Sequence, residues 1–257
     1  MRALGLLAHQ FRYDQKAFWR NPAAVFFTVL FPVVVFIILA VVFADTKLAV
    51  RGGIEATTYY VPAIIALAVI AATMQNLAMT LVVAREEGRL KRGRGTPMPA
   101  WVFVAGRVGN AIVVAVLMLA LLALIGGLLY SVPFPWSRLP EVSVVLAVGA
   151  ASFCCLGIAL TAVIPSQDAA AAIVNAVLLP LYFLSGIFIP EDELPAGVIS
   201  FANHFPVRPY FEAFLQVYVP SGSEGALAGH ELAVTALWGL AGLLLALRFF
   251  RWTPRSG

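Results

Sequence analysis

The chain has 257 residues, 61% of them hydrophobic and 12% charged, where soluble domains run near half and about a quarter. A mean hydropathy of +0.93 excludes an ordinary soluble domain and leaves a membrane protein. The net charge of +4 does not point to nucleic acid, because the basic residues gather at the ends of apolar runs.

Residues 1–22 come first and are amphipathic. Leu4, Leu7, Ala8, Phe11 and Phe18 recur at helical spacing, while Arg2, Arg12, Lys16 and Arg20 lie largely elsewhere. That pattern predicts a helix lying in a membrane interface, with Trp19 at headgroup level. A simple topogenic anchor is the alternative. Asn21-Pro22 then breaks the helix. A bilayer core of about 30 Å needs about 20 apolar residues. Six runs qualify: Ala23–Phe43, Tyr59–Val83, Val108–Tyr130, Val142–Ile164, Ala169–Ile189 and Leu232–Phe250. Val42-Phe43-Ala44 would suit signal-peptide cleavage, yet the run before it exceeds a typical h-region of about 7–15 residues, so it counts as a span. Cys154 and Cys155 are adjacent and point about 100° apart on a helix, so neither a bridge nor a metal site follows.

Between the second and third runs lies a charged island, "AREEGRLKRGRGTPMPA" (Ala84–Ala100). Lys and Arg set the orientation. With the N-terminus in the cytoplasm, all of the 17 basic residues except Lys47, Arg51, Arg138 and Arg208 fall on the inner side. Both termini and the island are then cytoplasmic. Glu87 and Lys91 lie at helical spacing, as do Glu86 and Arg89, which predicts a short helix continuing the second run. Gly88, Gly93 and Gly95 would end or bend it. A loop that only fixed topology would not need two glutamates, so docking on a soluble protein accounts for them better.

The runs carry sparse neutral polarity: Thr73, Met74, Gln75, Asn76 and Thr80 in the second, and Asn175, Pro180, Tyr182, Ser185 and Gly186 in the fifth. Amides in hydrocarbon are costly unless bonded. These residues face either another helix, as glue worth about 0.6 kcal/mol per bond, or a path for an amphiphile. Acid and base are nearly absent from the span interiors, which disfavours ion translocation. No phosphate loop, zinc-binding H-E-x-x-H or G-x-S-x-G occurs, and His9, His204 and His230 fall in separate non-spanning regions. The last loop, 190–231, is acidic yet aromatic. Val198, Phe201, Ala202 and Phe205 keep helical spacing, as do Phe211, Phe214, Leu215 and Tyr218, with Pro206 and Pro209 between the two sets. They predict two short helices that dip into the outer leaflet or cap the bundle.

Taken together, these residues resemble the membrane subunit of an ATP-binding-cassette exporter, of the type-2 permease family, in its multidrug or daunorubicin-resistance-like branch. The resemblance rests on Arg20-Asn21-Pro22, "FTVLFPVVVFIIL" (Phe27–Leu39), "EEGRLKRGRGTPMP" (Glu86–Pro99) and "FIPEDELPAGVISFANHFPVRPYFEAF" (Phe188–Phe214). It implies an all-α integral membrane protein with six transmembrane helices in a single domain over residues 1–257. The parts would be an N-terminal interface helix (1–22), a cytoplasmic coupling loop (84–107) and re-entrant helices in the outer loop (190–231). Docking on the ATPase would fall to Glu86, Glu87, Gly88, Arg89, Leu90, Lys91 and Arg92, with Phe11 and Lys16 on the interface helix as the second contact. Path candidates are Met74, Gln75, Asn76, Thr80, Asn175, Tyr182 and Ser185; outer-gate candidates are Phe201, Phe205, Tyr210 and Phe214. The resemblance further implies a separate nucleotide-binding ATPase subunit that holds ATP and magnesium, with no cofactor, catalytic site or metal in this chain. A second permease copy, membrane lipid and a hydrophobic or amphiphilic substrate (drug, lipid or glycolipid) would be its other partners, in a bacterial inner membrane. Export of a polysaccharide or lipid-linked glycan is the alternative substrate. A non-energised channel or scaffold subunit is the alternative of another class.

Overall fold

The computed structural model describes residues 2–43, 46–90, 100–220 and 228–250. Its first helix, α1, runs Arg2–Trp19. Asn21 then turns extended, and its side-chain oxygen accepts from the Ala24 amide at 3.2 Å, capping the next helix. Pro22 follows at the first helical position, where a missing N–H costs nothing. The helix so started, α2 (Pro22–Val42), is the first of six long apolar helices among the described residues. The others are α3 (Ala56–Glu86), α4 (Ala100–Tyr130), α5 (Leu139–Leu160), α6 (Gln167–Leu184) and α9 (Gly229–Phe249). Each is long enough to cross the hydrocarbon core, and the chain is an all-α multi-pass membrane protein. Strands β1 (Lys47–Leu48) and β2 (Ile54–Glu55) form a small antiparallel hairpin between α2 and α3. Two short helices, α7 (Ala196–Ala202) and α8 (Val207–Tyr218), precede α9.

Helix ends differ from the ends of the apolar runs, because hydropathy marks where hydrocarbon stops and not where the backbone does. Helix α5 stops at Leu160, short of Ile164, since Pro165 disfavours helix in the residue before it. Ser166 restarts the chain by accepting from the Ala169 amide at 3.3 Å. Helix α6 stops at Leu184, and Gly186 follows at φ +91°, a region that side chains resist. Helix α4 is already helical at Ala100, so Arg107 lies inside it. His230 likewise opens α9 and does not sit in a loop.

Helix α3 is apolar all round and buried along most of its length, whereas the other long helices keep wide outward faces. It is the central column. Two π turns interrupt the long helices. In α2 the Phe31 amide donates to the Phe26 carbonyl, just before Pro32, which has no N–H for the carbonyl of Thr28. In α3 the Asn76 amide donates to the Ala71 carbonyl, widening Ala71–Gln75.

Glycines set the closest approaches, as expected where van der Waals packing must hold helices together in lipid. A Cβ on Gly157 of α5 would stand 2.8 Å from the Met74 carbonyl oxygen and 3.0 Å from its Cα. Gly239 and Gly242 of α9 press on Ser152 and Leu156 of α5 in the same way. At the end of the bundle that carries the hairpin, α8 enters between the spans. Tyr210, Phe211, Phe214 and Leu215 are fully buried, and the Tyr210 ring fills the space beside Gly149. Gly149 lies about 15 Å along α5 from its start, so α8 reaches in among the spans and does not rest on their ends. Helix α7 stays at the surface, with only Ala202 buried.

The α3–α5 contact leaves no room for a branched side chain. Gly157→Val should lower stability by about 1–3 kcal/mol in thermal unfolding of the detergent-solubilised chain. Gly197→Ala, which meets nothing within 4 Å, should leave the transition where it is.

Candidate functional site

The end of the bundle away from the hairpin is the basic end. There α3 reaches its last turn at Arg85, a residue only 1% exposed. Its guanidinium donates to the Thr161 carbonyl at 2.8 Å, to the Ile164 carbonyl at 2.7 Å and to Glu86 Oε1 at 2.7 Å. Thr161 caps α5, where helical carbonyls have no partner within the helix, and Ile164 lies just past the turn that follows. The planar fork of arginine suits two carbonyls and a carboxylate at once. Read from sequence as a loop charge, Arg85 is instead an internal clamp between α3 and α5.

Gly88 then takes φ +68° and donates to the Arg85 carbonyl at 3.0 Å, which ends α3. The expected continuous extension of this helix therefore breaks. Arg89 pairs with Glu87 and not with Glu86, and a new helical segment begins at Arg89 and Leu90. Of the docking candidates, Glu87 is exposed and Arg89 half-exposed, while Glu86 and Leu90 are tucked in. Lys91, Arg92, Gly93 and Gly95 lie outside the described residues. Helix α1 lies along the basic end of α4, with the Phe11 ring against Gly109 and Gln10 against Gly106. Lys16 is exposed on its other side. The apolar stripe of α1 is divided: Phe18 is buried at 5%, while Leu4 stays 70% exposed.

Between α1, α2, α3, α4 and α6 lies a cavity of about 440 Å³. Four path candidates line it: Gln75, Asn76, Thr80 and Asn175. Gln75 Nε2 donates across to Asn175 Oδ1 at 3.3 Å, and the Thr80 hydroxyl turns back to the Asn76 carbonyl at 2.8 Å. The other three are elsewhere. Met74 packs behind the wall on Gly157. The Ser185 hydroxyl donates to the Tyr182 carbonyl at 2.8 Å, at the far end of α6. Sequence reasoning missed Asp14, Thr28, Arg107 and Asn110, which also line the cavity. One signal was present: Asp14 is a lone acid on a basic amphipathic helix. Burial raises the Asp14 carboxyl above its usual range, opposed by the Arg107 charge and a 3.0 Å hydrogen bond from Gln10.

At the hairpin end, Arg208 is buried and donates to Asn203 Oδ1 at 2.8 Å, Glu191 Oε2 at 2.8 Å and the Ser185 carbonyl at 3.3 Å. Arg51 reaches Glu212 at 3.0 Å and the Val219 carbonyl. Arg138 pairs with Glu141 at 2.8 Å and donates to the Gln216 carbonyl at 2.7 Å. Burial and the nearby Glu191 charge raise the Glu212 carboxyl, against the pull of Arg208 and Arg51. The gate candidates divide in two. Tyr210 and Phe214 meet edge to face inside the bundle at 5.2 Å. Phe201 is exposed, and Phe205 stacks on Trp238 at 5.9 Å on the surface.

Comparison with known proteins covers most of these elements. The family model described as ABC-2 type transporter matches residues 7–219, from α1 to the end of α8. The chain is also similar to the "Probable multidrug ABC transporter permease YbhR" of Escherichia coli K12. Identity is 23% over 183 residues, which is 70% of this chain and 50% of the relative. The protein of the same name from Escherichia coli O157:H7 gives the same figures. The chain spans about half the length of the curated relatives it matches.

Arg85→Ala withdraws the guanidinium from Glu86 and from both α5 carbonyls. It should cost about 3–5 kcal/mol, as breaking a buried pair does, seen as a lower unfolding midpoint. Arg85→Lys should recover only part, since an ammonium cannot span the same three acceptors as a planar fork.

Proposed function

The chain belongs to the ABC-2 type transporter family, and from that premise we propose that it is the permease subunit of an ATP-driven exporter for hydrophobic or amphiphilic molecules. Its basic end faces the cytoplasm of a bacterial inner membrane, as the distribution of Lys and Arg favours. The turn from Glu87 to Leu90 docks on a separate ATPase subunit, which binds ATP and magnesium. A second copy of this chain completes the translocation path.

The observation that carries this reading is the Arg85 clamp. The docking turn leaves α3 directly after Arg85, and Arg85 holds the end of α5. A push on the turn therefore reaches two spans together and is not absorbed by a slack loop. Closure of the ATPase dimer on ATP supplies that push, and rigid helices carry it across the membrane. The π turn at Ala71–Gln75 is where α3 can yield, because wide turns break the regular ladder. It stands beside the amide pair Gln75 and Asn175, so motion in α3 reaches the cavity wall. Substrate enters from the cytoplasm or inner leaflet and leaves past α8. Coupling requires that ATP and substrate each bind the two states with different affinity. The multidrug wording in the relatives' name supports a hydrophobic cargo.

The test is ATP hydrolysis in proteoliposomes by this chain co-purified with the ATPase encoded beside it. Glu87→Ala/Arg89→Ala should abolish co-purification or cut substrate-stimulated turnover at least about tenfold, the equivalent of one lost charge-assisted contact. The unfolding midpoint should not move, because both side chains are exposed or half-exposed. A double variant that assembles and hydrolyses normally would remove the docking role.

A further inference from the structure

The cavity at the basic end carries polar atoms that the fold does not use. Asn110 is 7% exposed and lines the cavity, yet its Oδ1 has no hydrogen-bond partner among the described residues. Arg107 lines it too; its Nε is buried without a partner, and its guanidinium lies over the Phe103 ring at 4.7 Å. Asp14, 6% exposed, faces the same space from α1. A buried donor or acceptor left unmade is costly. One cavity that keeps an unused acceptor, an unused donor and a carboxylate is built for a ligand bearing both kinds of group.

The way in says what else the ligand carries. Phe27 lines the cavity and is also 57% exposed, so the cavity opens on the outward face of α2. Around that opening Phe26, Leu30 and Phe31 are exposed as well. In a multi-pass protein this is a hydrocarbon-facing stripe. The ligand therefore has a polar head inside and apolar chains outside. Its head is close to neutral overall, because Asp14 opposes Arg107, and Arg89 is paired with Glu87. A cavity of about 440 Å³ lies within the range of small-molecule sites.

We infer that this cavity binds a zwitterionic amphiphile with a primary-ammonium phosphoester head, of the phosphoethanolamine type. The phosphate lies toward Arg107, and the ammonium donates to Asn110 Oδ1 and Asp14. A trimethylammonium head has no N–H to give Asn110, and a purely anionic head meets the Asp14 carboxylate. The site lies within one copy of the chain and does not depend on the transport reading. Its ligand is either a resident lipid or the cargo.

The test is native mass spectrometry of the delipidated, full-length chain in detergent. Phosphatidylethanolamine, phosphatidylcholine and phosphatidylglycerol with identical acyl chains are titrated in turn. One tightly held phosphatidylethanolamine per chain is expected, with affinity about tenfold above the other two. Asn110→Leu, and separately the isosteric Asp14→Asn, should bring it down to the phosphatidylcholine level while phosphatidylcholine binding stays unchanged. Equal affinity of the native chain for ethanolamine and choline heads overturns the proposal without any variant. Retention of the preference in both variants overturns it as well. A second arm adds the ATPase and ATP and follows labelled phosphatidylethanolamine across the bilayer. Movement together with the binding preference makes the lipid cargo, and preference without movement makes it resident; both uphold the site.

Discussion

A helix that ends inside a membrane bundle must dispose of its last carbonyls, because no water is there to take them. In this chain arginine does so at several helix ends. Arg85 closes α5, Arg208 closes α6, and Arg138 and Arg51 close α8. Each is also paired with a carboxylate: Glu86, Glu191, Glu141 and Glu212 in the same order. The carboxylate balances the charge, and the remaining N–H groups serve the carbonyls. Lysine could offer the charge but not the fork. A buried ion pair by itself is weak evidence of stability. Here the pair leaves guanidinium N–H groups to satisfy the carbonyls at a helix end, and the short turns between spans depend on that.

The two ends of the bundle use this device differently. At the hairpin end it locks α8 between the spans, with Tyr210 seated against Gly149 and the β hairpin held through Arg51. At the basic end it fixes only the junction of α3 with α5. Beside that junction the packing opens into the cavity under α1. One end is closed by interlocking side chains and the other is hollow beside the α3–α5 junction.

The six spans and the amphipathic first helix were legible in the sequence, since hydrocarbon demands long apolar runs and an interface demands a one-sided helix. Helix ends were not, and Ala100 shows why: the first turns of α4 include Gly106 and Arg107, which no hydropathy rule places in a span. Arg85 was read as one of many positive loop charges. Glu86 is its neighbour, but its two carbonyl partners lie at and just past the end of α5, far along the chain, and nothing local to Arg85 names them. Among the path candidates, polarity in a span marked side chains that need a partner but could not say which. Gln75, Asn76, Thr80 and Asn175 share a cavity, whereas Ser185 only closes its own helix end. The missed residues Asn110 and Asp14 sit where α4 meets α1, and that meeting is set by the glycines at 106 and 109.

The wide turn in α3 has a consequence for the phase of the helix. A π turn holds one residue more than the regular ladder needs. Each residue of an α-helix turns the chain by about 100°. If the extra residue passes along α3 toward Arg85, only the residues it crosses are rotated, while both ends of the helix keep their bearing. Asn76 and Thr80 lie on that route, so their side chains can be turned into or out of the cavity wall with Arg85 still seated on α5. The central column can thus change the lining of the cavity without moving its own ends.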